Sequence, residues 1–156
     1  MSARDREPAG ARDERVLVEN DWYDGPRSGL ADVDGVPHYF QAVHSYWHVD
    51  DPDDEEYFVW PASADALGME RELWAMFVYW LARFHAGTAS ADTHPAYGGD
   101  TRHDELEALL SPHREVPPDA RRLAARWKGL GRGAGARYGA DGPSYAVRWL
   151  DLPDVR

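Results

Sequence analysis

The Asp34-Gly35 step lies between two runs of strand-forming residues, RSGLADV and VPHYFQAVHSY. An Asp-Gly pair in this setting is the strongest short-range signal for a two-residue β-hairpin, because both turn positions require positive φ. The run VLVEN before the hairpin and YFVWPA after it have the composition of further short strands. The sequence therefore predicts that this part of the chain forms antiparallel sheet.

ERELWAMFVYWLARFHAG, residues 70–87, is the clearest helix in the chain. Its apolar residues recur at the i, i+3, i+4 spacing of one helix face, and Gly87 is placed to end it. Trp74, Val78 and Tyr79 extend the apolar surface beyond that face. We therefore expect a central core helix buried against a sheet, with an oligomer or partner interface as the alternative.

The remaining segments complete the predicted order of elements. Thr101 and Asp104 resemble a capping box that opens a short helix ending near Pro112, and SYAVRWLDL alternates as a final strand does. Residues 120–131 fit either a helix or a strand. Together these features predict an α+β fold, with a largely antiparallel sheet packed against one long apolar helix and a short helix. Residues 1–15 are expected to be a flexible tail before a single domain spanning 16–156.

Composition limits the classes of function. The chain has no cysteine, which excludes disulfides, thiolate metal sites and cysteine nucleophiles. No N-terminal h-region and no apolar run of about 18 residues is present, so we expect a cytoplasmic protein without membrane association. Residues 16–65 hold one basic and twelve acidic residues, which accounts for the whole formal net charge of −11. This charge opposes nucleic-acid binding, although the basic segment 120–140 carries Trp127 and Tyr138.

The stretch DWYDGPRSG, residues 21–29, contains most of the candidate site residues. Asp21 and Asp24 are residue types that turns favour, so a purely structural role explains them. Arg27 is the only basic residue between positions 16 and 65, and we expect it to pair with neighbouring aspartates. His38 together with Asp21 or Asp24 could form an acid–base pair, since such pairs are assembled in space and leave no local motif.

No metal or cofactor is predicted. His38 and His44 lie six residues apart, about 20 Å along an extended strand, which is too far for one ion. His44 and His48 have a ligand spacing only if that segment is helical, which its composition disfavours. The acidic run DDPDDEE lacks the glycine and the ligand pattern of an EF-hand loop. No nucleophile or phosphate-loop motif is present.

The combination of DWYDGPRSG, GVPHYF and YFVWP resembles a family of small uncharacterised bacterial proteins that share this opening. The resemblance covers residues 16–110, and its most specific pieces are DGPRxG and PHxF. It implies no activity, cofactor or catalytic residue. It does imply that a set of residues matters together, namely Trp22, Asp24, Gly25, Arg27 and His38.

These observations favour a non-catalytic binding or regulatory module that engages a protein partner through an acidic sheet face. The expected binding residues are Trp22, Tyr23, Asp24, Arg27, His38 and Tyr39. One alternative is a small enzyme that uses His38 with Asp21 or Asp24 on the hairpin. The other is a subunit of an assembly that packs through the helix between Trp74 and Phe84, in which case that face is exposed in the monomer.

Overall fold

The computed structural model describes residues 12–44, 55–97, 99–130 and 137–152. Within these ranges it contains eight strands and two α-helices. The strands are β1 Glu14–Trp22, β2 Pro26–Val33, β3 Val36–Ala42, β4 Glu56–Pro61, β5 Arg121–Lys128, β6 Tyr138–Gly139, β7 Gly142–Pro143 and β8 Ala146–Asp151. The helices are α1 Ala64–His85 and α2 Thr101–Leu110, and short 3-10 turns occupy Ala91–Thr93, Pro95–Tyr97 and Ser111–Arg114.

Six strands close into an antiparallel barrel in the order β1-β2-β3-β4-β5-β8, while β6 and β7 form a separate two-stranded ribbon. The barrel closes because β8 pairs with β5 on one side and with β1 on the other. The β1 contact consists of the pairs Glu14–Val147 and Arg15–Ala146. The predicted α+β fold, a sheet packed on a long apolar helix, is therefore wrong. The sheet buries one of its faces against itself instead of against a helix.

Irregularities in β1 account for this closure. Its pairing with β2 shifts register between Val16 and Val18, between Glu19 and Asp21, and again before Trp22. Bulges of this kind bend a strand and increase its local twist. A strand bent in this way can pair with β2 along most of its length while its first residues meet β8.

The predicted hairpin is confirmed. Asp34 and Gly35 join β2 to β3 with φ values of 53° and 79°, as a two-residue turn of the I′ kind requires. The buried carboxylate of Glu14 accepts hydrogen bonds from the backbone N–H groups of Asp34 at 2.9 Å and Gly35 at 2.7 Å. The strands predicted at YFVWPA and SYAVRWLDL are confirmed as β4 and β8, and the ambiguous segment 120–131 forms strand β5.

The barrel interior is filled by side chains from the strands and the segment before β8. Four aromatic rings contact one another there, with centroid separations between 5.5 and 6.1 Å. They belong to Phe40, Tyr57, Trp127 and Trp149. The Tyr57 hydroxyl donates to the carbonyl of Pro26 at 2.6 Å and accepts from the Trp127 indole at 3.2 Å. The other buried residues of this core are Val16, Ala31, Val33, Val59, Leu123, Ala125, Tyr145 and Val147.

The two helices form a layer on the outer face of the barrel. A second buried cluster joins them to the strands, and it comprises Leu17, Val18, Leu30, Tyr39, Trp60, Ala66, Leu73, Trp74, Leu106 and Leu110. α2 is capped by Asp100, whose side chain accepts from the His103 N–H, one residue before the predicted cap. Neither helix in the described ranges has the length and apolarity of a membrane span.

The predicted helix over residues 70–87 is confirmed as a helix, but it begins earlier, at Ala64 after the N-cap Ser63. Its predicted role as a central core helix is wrong. Its buried residues are Ala66, Glu70, Leu73 and Trp74, all in the first half of the helix. The interior of the barrel is already filled by strand side chains, so α1 can contact only the outer surface of the sheet.

Candidate functional site

The end of the barrel where β1 meets β2 carries three of the predicted binding residues. Trp22, Tyr23 and Arg27 line one cavity of about 480 Å³, together with Asp21 and the His44 segment. Trp22 and Tyr23 are exposed at its rim. Asp24 lies in the adjoining turn with a φ of 57°. The DWYDGPR stretch thus forms a turn and the wall of a concave surface at the same time.

Arg27 lies beneath this cavity rather than on its surface. Its side chain is buried, with Nη1 3.4 Å from the fully buried Glu55 carboxylate, and it also donates to the backbone carbonyl of His44. The sequence suggested aspartates as partners, and the structure provides Glu55 from the far side of the β3–β4 connection. A buried charge without a partner is costly, and this pair joins Arg27 on β2 to Glu55, the residue just before β4.

His38 lies apart from the aspartates with which it could have acted. It pairs with Ala31 across β2, whereas Asp21 pairs with Ser28, three residues or about 10 Å further along that strand. Its Nδ1 donates to the Val36 carbonyl at 2.7 Å. The structure does not bring His38 together with Asp21 or Asp24. Its neighbour Tyr39 is buried and stacks on Trp60 with a centroid separation of 5.4 Å.

A second concave surface, which sequence reasoning missed, lies between the helical layer and the barrel wall. We call it the helix–barrel cleft. It encloses about 270 Å³ and is lined by Val18, Glu19, Asn20, Leu73, Trp74, Phe77, His94, Ala96, His103, Glu107 and Arg114. A neighbouring cavity of about 350 Å³ shares Asn20, Glu107 and Arg114 with it. No spacing in the sequence indicates this cleft, since β1, α1, α2 and two loops all contribute to it.

An ion-pair network forms one wall of the cleft. Arg114 donates through Nε and Nη2 to the two carboxylate oxygens of the fully buried Glu70, at 3.0 and 2.7 Å. Its Nη1 donates to Glu107 at 2.7 Å. Burial opposes the charge on Arg114, yet these hydrogen bonds raise the pKa of its guanidinium above the ordinary value. The arginine is therefore permanently charged and already neutralised by two carboxylates.

Glu19 forms the opposite wall. Its carboxylate accepts hydrogen bonds from the Tyr145 hydroxyl at 2.6 Å and from the Tyr138 hydroxyl at 3.2 Å. Both hydrogen bonds favour the charged carboxylate, but burial has the larger effect and raises the pKa of Glu19. Bringing a positive group into the cleft would therefore stabilise the ionised form of this side chain.

Two histidines complete the polar lining. His94 accepts the Ala96 N–H at Nδ1 over 3.0 Å, so its neutral ring carries the proton on Nε2. Burial, and then the nearby His103, lower the pKa of His94 and favour that neutral form. His103 is 13% exposed, and its Nδ1 is buried without a hydrogen bond to any described group. Its Nε2 lies 3.9 Å from Glu107.

The second half of α1 and the loop after it present exposed aromatic side chains on the surface of the helical layer. Tyr79 is 66% exposed, Phe84 40%, and Tyr97 from the following loop 74%. Trp80 stacks on Phe84 with a centroid separation of 5.1 Å and contacts the His94 ring at 4.7 Å. We call this surface the α1 patch and define it as Met76, Tyr79, Trp80, Phe84 and Tyr97.

Comparison of the chain with protein-family models, with curated proteins and with solved structures found no match. Among the residues that the structure describes, no group of three or more histidine, aspartate or glutamate side chains is arranged to hold a metal ion. His48 and most of the acidic run DDPDDEE lie outside those residues. Geometry and electrostatics are therefore the basis of the functional argument.

Proposed function

We propose that this protein is a non-catalytic binding module that works as a self-assembling subunit, in which the α1 patch packs against the same patch of a second copy. The observation that supports this proposal is the uneven burial of α1. The first half of the helix contributes all four of its buried residues, and the second half, which is the more apolar, contributes none. Soluble chains seldom leave such a contiguous apolar surface without a partner.

The residue types of the α1 patch are suited to an interface. Aromatic residues and methionine are enriched at protein–protein interfaces, and tryptophan and tyrosine are the commonest sites of large binding energy. Trp80 is held in place before any partner arrives, since its indole N–H donates to the Thr93 hydroxyl at 3.1 Å. A side chain that is already ordered loses less entropy on association.

Charge favours a second copy as the occupant of the patch. Residues 75–97 contain one arginine and one aspartate, so this surface is formally neutral on a chain of net charge −11. Two copies can therefore meet there without bringing their acidic regions together. A two-fold interface uses the same patch on both subunits, and it is the commonest form of self-association.

The test is sedimentation velocity of the full chain over a range of concentrations. We expect a dimer for the unaltered protein and a monomer for Tyr79→Glu and Phe84→Glu, because each substitution places a charge at the centre of an apolar interface. Tyr23→Glu is the matched control, since Tyr23 is an equally exposed aromatic residue at the barrel end. This control should remain dimeric.

A monomer at all concentrations would contradict the proposal, as would a dimer unaffected by both α1 substitutions. The prediction of an acidic sheet face that engages a basic partner is a separate one. Asp24 lies in the turn between β1 and β2 and Asp34 in the turn between β2 and β3, while Asp21 lies within β1 and Asp32 within β2. These four aspartates are spread over two strands and two turns.

A further inference from the structure

We propose that the helix–barrel cleft binds a small organic cation, a primary ammonium group attached to an aromatic or aliphatic body. The inference stands apart from self-assembly, since it depends on groups that face the cleft rather than on the α1 patch. Three features support it: the balance of charge in the cleft, the hydrogen-bond acceptors there, and the aromatic wall.

The fixed charges in and around the cleft sum to a negative value. Arg114 is the one cation among the fixed charges of its lining, and its guanidinium already donates to Glu70 and Glu107. Glu19 adds a third carboxylate. An anionic ligand would enter against two uncompensated negative charges at low dielectric, whereas a cation would offset one of them. Charge thus selects a positive ligand.

The acceptors available in the cleft match an ammonium group. An ammonium presents three N–H donors and no acceptor. Glu19 and Glu107 supply carboxylate oxygens on opposite walls of the cavity. The ring of His103 also lines the cavity, and its Nε2 lies 3.9 Å from the Glu107 carboxylate.

The apolar side of the cleft suits the body of such a ligand. Trp74 and Phe77 line it with rings 5.5 Å apart, and the Trp74 ring is fixed because its indole donates to the Gly139 carbonyl at 2.8 Å. Aromatic faces also attract cations through their quadrupole. The volume of about 270 Å³ is near the lower end of the range for small-molecule pockets.

The experiment is an NMR titration of the isotopically labelled full chain with 2-phenylethylammonium, compared with the matched anion 3-phenylpropionate and with methylammonium. We expect saturable shifts of the Trp74 indole N–H and the His103 ring with the aromatic amine. The affinity for the anion should be lower by about tenfold or more, since a hydrogen bond to a charged group is worth about that factor. Methylammonium, which lacks the apolar body, should also bind more weakly.

Substitutions locate the site. Glu107→Gln should lower the affinity for the aromatic amine by about tenfold, while Glu105→Gln, on the exposed side of the same helix, should leave it unchanged. Because Glu107 also supports Arg114, the second variant is Glu19→Gln, which lies on the opposite wall and should give a similar loss. Equal binding of the anion, equal binding of methylammonium, or no shift at Trp74 and His103 would each overturn the proposal.

Discussion

The interior of the barrel and the helical layer bury apolar side chains to very different extents. Inside the barrel, Phe40, Tyr57 and the residues around them are fully enclosed by the strands that carry them. In the helical layer, all the fully buried residues of α1 lie in its first half, and its second half is at most partly buried. A closed sheet completes its own core, whereas a helix on its outer surface is covered on one side only. This difference is why we place both the proposed interface and the proposed ligand site in the helical layer.

The largest expected difference between the two regions is the cost of removing a phenylalanine. Phe40→Ala should lower the free energy of unfolding by about 3–5 kcal/mol, because it leaves a cavity among rings that cannot move together. Phe84→Ala, in the exposed half of α1, should change it by less than about 0.5 kcal/mol in the monomer. Urea unfolding measures both values. Similar losses for the two variants would show that the barrel is no better packed than the layer.

The second prediction concerns how much the buried ion pair between Arg114 and Glu70 stabilises the helical layer. Arg114→Met should lower the free energy of unfolding by about 3 kcal/mol, because it leaves the fully buried Glu70 carboxylate without its bidentate partner. Arg102→Met, which breaks an exposed pair with Glu72, is the matched control and should have little effect. Thermal unfolding measures both variants. If they lower the melting temperature equally, the buried ion pair adds nothing to stability, and the layer is held by its apolar contacts alone.

The smallest expected effects are those of alanine substitutions at two glycines, Gly29 in the barrel and Gly68 in α1. A Cβ on Gly29 would lie 2.1 Å from the Val18 carbonyl oxygen across β1, so Gly29→Ala should cost about 1–3 kcal/mol. A Cβ on Gly68, in the first half of α1, would meet nothing within 4 Å. Gly68→Ala should therefore stabilise the protein by about 0.5–1 kcal/mol through helix propensity. A stable Gly29→Ala variant would mean that the strands can separate without loss.

Local elements were predictable because their signals are local. The Asp34-Gly35 turn, the strand at YFVWPA and the helix around Trp74 each follow from the conformational preferences of a few adjacent residues. Three of the predicted binding residues, Trp22, Tyr23 and Arg27, line the barrel-end cavity together. They could be grouped from the sequence because they are close together in the chain. Element boundaries were less accurate, and α1 begins six residues before its predicted start at Glu70.

The helix–barrel cleft was not predictable, because the residues that line it are far apart in the sequence. His94 and Glu19 lie 75 positions apart in the chain, and neither belongs to a motif. They share a cavity only because α1 and the loop after it pack on the outer face of β1. Arg27 shows the same limit, because the structure pairs it with Glu55, which lies 28 positions further along the chain.

The amino-acid sequence by itself indicated both helices and most of the strands, though not β5, and it set the concentration of acidic residues in the first third of the chain. Tertiary structure decided that the sheet closes on itself, that α1 lies outside it with its fully buried residues confined to its first half, and that two histidines line the same cleft as Glu107. The physical reason is that closure depends on the pairing of Glu14 and Arg15 with residues more than 130 positions away. Pairing over such a separation leaves no pattern in neighbouring residues, and it determines which face of every other element is available for burial.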